Sequence, residues 1–233
     1  MHTGERQRPG RAAPRWAIAL AASFLACLCA GGAAAKSGKG DYVGSWSLSG
    51  ALGYAVPNTD EYGEAPAWRL AAGYSPVPQF ELALEAGRFV TGVSQPEANG
   101  IPSHTIASGS LDVRPVCLTA IYHRPLSGLP TTLNLLAGVG YYFVDYSMDE
   151  AARSAFAAGG APGLPDQVVD DAWGFHVGAG LEYALSAMVS LAAEGRYLFV
   201  SPQARGTAAL GSPIDGSLDL NTWVFTGGVK VAF

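Results

Sequence analysis

Three histidines lie beyond residue 35: His104, His123 and His176. Imidazole titrates near neutral pH, and beside a serine and a carboxylate it can activate a nucleophile. His104 follows Ser103 in a segment rich in Pro, Gly and Asn. His123 ends an apolar run, where solvent is the expected surrounding, and His176 alternates with apolar residues. No spacing brings a serine and a carboxylate to any of them. A triad is defined by geometry, so the sequence leaves that chemistry open and assigns no catalytic residue. Cys117 is the only cysteine beyond residue 35, which excludes an intrachain disulfide and a multi-cysteine zinc site there. In its apolar run it reads as a small hydrophobe. Gly178-x-Gly180 leads to no helical pattern and is not a nucleotide-binding loop. No cofactor or metal is expected.

A second set of residues is defined by its alternation. Arg69, Glu81, Glu85, Glu182, Glu194, Arg196 and Lys230 each sit between apolar neighbours at a period of two. That period puts the charges on one side of a strand and the apolar residues on the other. Four acids and three bases sharing an enclosed side should pair, because an unpaired buried charge is expensive. Glu194 and Arg196 share a face and are the first pair expected.

The elements that position these residues are eight alternating stretches. Their apolar faces are Trp46 to Tyr54, Trp68 to Tyr74, Phe80 to Ala86, Val116 to Tyr122, Leu133 to Phe143, Trp173 to Tyr183, Val189 to Phe199 and Trp223 to Phe233. The fourth runs from about Leu111 to Tyr122, and Pro115 predicts a bulge in it, since proline cannot donate to a ladder. Each stretch is about 9–11 residues or slightly longer, the length of a tilted membrane strand. Segments 55–65, 91–107, 145–171 and 201–217 are long and rich in Pro, Gly, Asn and Asp, whereas 75–78, 123–130 and 184–187 are short. Strict alternation places every long loop on one rim of an eight-stranded antiparallel up-and-down barrel and both ends of the barrel domain on the other. A short helix is expected around Asp149 to Ala158. Aromatics cluster at the strand ends, with Tyr74, Phe80, Tyr122, Tyr183 and Phe233 at one rim and Trp68, Phe89, Tyr141, Phe143, Trp173, Tyr197 and Phe199 at the other. Two girdles at headgroup level are the expected result.

The N-terminus reads as a targeting segment. Arg6, Arg8, Arg11 and Arg15 precede an uncharged run from Trp16 to Ala30, and small residues end in Ala33-Ala34-Ala35. Basic, apolar and small in that order is a secretory signal peptide, cleaved here after Ala35. The apolar run is about 15 residues, short of the ~20 a spanning helix needs. A lipoprotein-like cleavage before Cys27 is the alternative, with Phe24 a poor fit at its start. The whole chain has 14 Lys and Arg against 19 Asp and Glu, and a leader with four Arg and one Glu leaves a mature net charge of −8. Such a balance offers no grip on a nucleic-acid backbone. Only three Lys occur in the chain. A soluble sandwich would carry Lys and Glu along its solvent faces, so the pattern favours a lipid-facing exterior.

Three stretches carry a family resemblance: Ala137-Gly138-Val139-Gly140-Tyr141-Tyr142-Phe143, then Gly178 to Tyr183 with Glu194 to Tyr197, and the ending Gly228-Val229-Lys230-Val231-Ala232-Phe233. With them, residues 42–233 resemble small outer-membrane β-barrels of the OmpA-like, OmpX and OmpW kind. The resemblance implies a signal peptide over 1–35, a short periplasmic segment over 36–43 and an outer-membrane barrel over 44–233. It implies that Trp223, Phe225, Val229, Val231 and Phe233 form a C-terminal signal for the outer-membrane assembly machinery. The implied partners are outer-membrane lipid and lipopolysaccharide, with the chain a monomer. The expected role is structural or surface-interacting, with a side-chain-filled lumen. A narrow OmpW-like channel for small hydrophobic molecules and a lipid A-modifying enzyme using His176 are the alternatives. Fold alone does not decide among them.

Overall fold

The computed structural model describes residues 44–93, 108–158, 167–207 and 213–233. The leader, the predicted cleavage after Ala35, segment 36–43 and His104 lie outside the described residues. Eight strands close into an antiparallel barrel: β1 (Ser45–Pro57), β2 (Ala65–Val77), β3 (Phe80–Val93), β4 (Gly109–Pro125), β5 (Thr131–Met148), β7 (Ala172–Ala184), β8 (Val189–Val200) and β11 (Thr222–Ala232). Each is paired with its sequence neighbours in the barrel, and β1 closes on β11. Closure leaves no barrel edge, as a sheet in a membrane requires. The seam is locked where Trp46 N–H donates to the Phe233 carbonyl at 2.9 Å and Phe233 N–H returns the bond at 2.9 Å.

The short turns have local causes. Gly128 adopts φ 81° in the β4–β5 turn, a conformation that costs glycine little. Ser186 Oγ accepts from Met188 N–H at 3.2 Å and Val189 N–H at 3.0 Å in the β7–β8 turn. The long connections hold more structure than their composition implies. Helix α1 (Glu150–Ala158) stands where one was expected. Strands β6 (Val168–Val169), β9 (Gln203–Thr207) and β10 (Pro213–Ser217) form a separate three-stranded sheet ordered β10-β9-β6.

Alternation sorts the barrel faces. Leu52, Leu70, Leu84, Leu118, Val139, Leu181 and Phe225 point outward and are exposed. The C-terminal residues Trp223, Phe225, Val229, Val231 and Phe233 share that outward face. Aromatic pairs lie along it near both rims, including Trp46–Tyr74 and Phe80–Tyr122 at the short turns, and Tyr141–Trp173 and Tyr197–Trp223 at the long loops.

Three expectations need correction. Pro115 causes no bulge: Ala86 pairs with Val116 and Phe89 with Val113, in one unbroken register, and burial alternates straight through β4. What lapses is the pairing itself, over Gly87–Pro115 and Arg88–Arg114. The reason is directional. His123 N–H donates to the Gln79 carbonyl of the β2–β3 turn. Period two puts the nitrogen of residue 115 on that same side, facing β3, where proline has no hydrogen to give. Phe89 faces the lumen and is buried, so it belongs to no girdle. The outer face also carries charge that the alternation missed. Arg88, Asp112, Arg114 and Asp145 point outward, and Arg114 pairs in register with Phe143 of the long-loop girdle.

Candidate functional site

The lumen has two tiers. The tier toward the short turns is polar. Glu81 accepts from Ser47 Oγ at 2.7 Å and from Lys230 Nζ at 2.6 Å, and it lies 3.0 Å from His123 Nε2. His123 Nδ1 meets Asn134 Oδ1 at 2.8 Å. Glu182 accepts from Ser190 Oγ at 2.6 Å, with Lys230 Nζ and Asn134 Nδ2 each 3.4 Å away. Above this lies a second cluster. Glu85 accepts from Arg69 Nη1 at 3.0 Å and from Arg196 at 2.5 and 3.1 Å. Glu194 accepts from Arg69 Nη2 at 3.2 Å and is ion-paired with Arg196. All seven charges singled out from the sequence therefore face the lumen and are paired, Glu194 and Arg196 among them. In the low dielectric of an enclosed lumen only such mutual satisfaction makes them tolerable.

Small residues make the room. A Cβ on Gly73 would strike Glu81 and Ser47, and one on Gly138 would lie 2.6 Å from the His176 ring. Glycines alternating along the lumen face are thus the space into which long charged and aromatic side chains reach from across the barrel.

The tier toward the long loops is apolar. Leu111, Val113, Tyr142, Val144, Leu198 and Val224 are buried there and point inward. The loops close over it, adding buried Tyr62, Val169, Ala204, Leu218 and Leu220 to the same cluster. Burial, with Glu61 and Asp219 nearby, pushes the Tyr62 phenol well above its ordinary range. Between the tiers is a cavity of about 50 Å³. It lies against the β3–β4 gap. Outward-pointing Trp68, Ala86 and Arg88 line it beside inward Gly87 and Pro115. Its inner walls include Phe89, Cys117, Tyr142, His176, Leu198 and Val224.

His123 occupies different surroundings from those expected, whereas His176 faces the lumen as its alternation with apolar residues implies. His123 is not solvated at the rim: it is buried, held between Glu81 and Asn134. His176 is in the lumen, its Nε2 3.1 Å from Thr119 Oγ1. Ser47, Glu81 and His123 do bring a serine, a carboxylate and an imidazole together. The order is wrong for nucleophilic catalysis, because the carboxylate, not the imidazole, meets the hydroxyl. Cys117 faces the lumen with Sγ 3.9 Å from Tyr142 Oη. No group of three or more His, Cys, Asp or Glu among the described residues has the arrangement of a metal site. The cap sheet and the gap were missed from sequence. The alternation of Val168-Val169 is too brief to read as a strand, but Pro115 in a β pattern was a usable signal for the gap.

The family described as outer membrane protein beta-barrel domain matches residues 20–233. No curated protein sequence matches the chain. Among solved structures, the chain is similar to the outer membrane protein OprG from Pseudomonas aeruginosa, with 15% identity over 82% of this chain and 96% of that one, at a TM-score of 0.64. It is similar to neisserial surface protein A, with 17% identity over 81% and 96% and a TM-score of 0.50. A major outer membrane protein of Thermus thermophilus matches at 15% identity over 82% and 100%, with a TM-score of 0.50. At these identities the likeness is one of fold.

Proposed function

This chain belongs to the outer membrane protein β-barrel family, and from that premise we propose that it is a port for small hydrophobic molecules rather than an axial pore. The observation that carries the reading is the apolar upper tier with its cavity set against the β3–β4 gap. A molecule entering from the long-loop side meets apolar walls, then a floor of paired charges. Hydrocarbon cannot cross that floor cheaply. The weakest part of the surrounding wall is the gap at Pro115, and the gap leads toward lipid. The chain would act as a monomer in outer-membrane lipid and lipopolysaccharide, delivered by the assembly machinery that its C-terminal strand addresses.

The test uses intact cells of a Gram-negative host. Expression should speed entry of the hydrophobic fluorophore N-phenylnaphthylamine several-fold, and Pro115→Ala, which restores a backbone donor facing Gly87, should abolish the gain. The protein should show no steady ion conductance in a planar bilayer. Fluorophore entry unchanged by expression, or a stable conductance, would sink this reading. Heat-modifiable gel migration reports whether each variant forms a barrel.

One observation favours a second role. The β10-β9-β6 sheet ties together described parts of two long loops, as a surface-binding protein would need. Replacing residues 203–217 with a short Gly/Ser turn should then abolish adhesion by expressing cells without disturbing barrel migration. An enzymatic role acting on lipid A through His176 has less support, because that ring meets Thr119 Oγ1 through Nε2 and no carboxylate is hydrogen-bonded to its Nδ1.

A further inference from the structure

The tier toward the short turns sets two carboxylates, Glu81 and Glu182, against one lysine, Lys230. The cluster above it is balanced, with Glu85 and Glu194 against Arg69 and Arg196. His123 lies in the lower tier, and its hydrogen bonds fix its protons. Glu81 Oε2 is 3.0 Å from His123 Nε2 and also accepts from Lys230 Nζ at 2.6 Å. That oxygen is an ionised acceptor, so Nε2 must donate. Asn134 Oδ1 is 2.8 Å from His123 Nδ1. The amide is oriented by its other end, where Nδ2 donates to Glu182 at 3.4 Å. The reverse orientation would turn the amide oxygen on that carboxylate, acceptor against acceptor. Nδ1 therefore faces an acceptor and must donate as well. A neutral imidazole has one N–H, and two donors make an imidazolium.

We propose that His123 is the fourth base of the lumen, held as an imidazolium, and that its second proton locks the charged plug on the short-turn side. With that proton, Glu81 and Glu182 face Lys230 and His123, and the four lumen acids meet four bases. Without it, two carboxylates share one ammonium, and one ring nitrogen turns a lone pair on an oxygen. Both changes are costly in a buried setting, and His123 is 8% exposed and Glu81 3%. The surroundings offer no substitute cation. The network around the ring draws on Ser47 of β1, Glu81 of β3, Asn134 of β5, Glu182 of β7, Ser190 of β8 and Lys230 of β11. Of these only Lys230 is basic. Gly73 of β2 gives the space, since a Cβ there would strike Glu81 and Ser47. Arg124, next to His123 on β4, points outward and is exposed. The plug is thus held while the ring keeps both protons and loosens as rising pH removes one. This lock is independent of the port, because it lies in the tier that an apolar molecule would not enter.

The experiment uses the full mature barrel in lipid nanodiscs, labelled with ¹³C and ¹⁵N and sequentially assigned. Near neutral pH both ring nitrogens of His123 should show a bonded proton in ¹⁵N–¹H spectra. A single N–H on that ring would overturn the proposal. The second measurement is the urea midpoint of the barrel in vesicles, followed by tryptophan fluorescence as the pH is raised. The midpoint should fall over the same pH range in which His123 loses one N–H signal, and His123→Gln should abolish that fall. If His123→Gln instead lowers the midpoint equally at every pH, the ring is a neutral filler and the lock is overturned. Glu182→Gln removes one carboxylate from the count, so the fall with pH should shrink, and an undiminished fall would also overturn the proposal. The spectra of the unmodified protein decide the matter where a variant fails to form a barrel, which heat-modifiable migration reports.

Discussion

The two tiers of the lumen solve one packing problem in opposite ways. Both fill the inside of an eight-stranded barrel, which is just wide enough for side chains to meet across it. The tier near the short turns, with the cluster above it, does so with charge. Glu81, Glu85, Glu182, Glu194, Arg69, Arg196 and Lys230 are held by one another and by Ser47, His123, Asn134 and Ser190. The upper tier does so with Leu111, Val113, Tyr142, Leu198 and Val224, and borrows its lid from the loops. The difference lies in directionality. Ion pairs demand fixed geometry and tolerate no missing member, so the paired charges of the lower lumen have little room to rearrange. Apolar contact is non-directional, so under the port reading the upper lumen would repack around a guest.

Arg196→Met should break this contrast most sharply. It leaves Glu85 and Glu194 short of a cation in a buried setting, where removing one partner costs about 3–5 kcal/mol. The loss should appear as a lower midpoint in urea unfolding of the barrel in vesicles, followed by tryptophan fluorescence. Adding Glu85→Gln should recover part of it. A change under about 1 kcal/mol, the scale of a solvated pair, would mean that water already reaches the cluster and that the plug is porous.

Leu111→Ala tests the other tier. Leu111 is fully buried in the apolar cluster. The substitution should cost about 2–3 kcal/mol, the low end of a buried Leu→Ala change, because a pliable chamber relaxes around the void. Fluorophore entry should rise with the enlarged space. A fall in entry on Leu111→Ala would show that the chamber transmits only in one tight packing.

Much of this was legible in the sequence, because a strand's period is two and every side chain's face follows from it. The seven lumen charges, the outward C-terminal residues and the strand count all came from that periodicity. What escaped depends on partners far apart in the chain. His123 looked like a rim residue because sequence shows only its own strand, but Glu81 and Asn134 reach it from β3 and β5. Pro115 was read as a bulge because a missing donor was assumed to displace the chain. The register of the surrounding rungs, fixed by neighbours on both sides of β4, held the strand straight and let two pairings lapse instead. The cap sheet pairs β6 with β9 across more than thirty residues, beyond any local pattern.

The outer-face charges sharpen the comparison by exposing the arginines while keeping the chemistry. Arg88 lies 2.9 Å from Asp112 with its side chain 48% exposed, and Arg114 also holds Asp112. The groups are those of the lumen clusters, a guanidinium on a carboxylate, but they sit on the outer face at the level of Phe143 with both arginine side chains about half-exposed. Exposed pairs contribute about 0–1 kcal/mol, and salt screens what remains. Arg88→Gln should therefore shift the stability read from urea unfolding by less than about 1 kcal/mol, and the shift should shrink further between low and high salt. Asp112 keeps Arg114, so no charge is stranded. A loss as large as that of Arg196→Met, or one indifferent to salt, would show the outer cluster to be as dry as the plug, and the distinction between paired charge inside and outside this barrel would collapse.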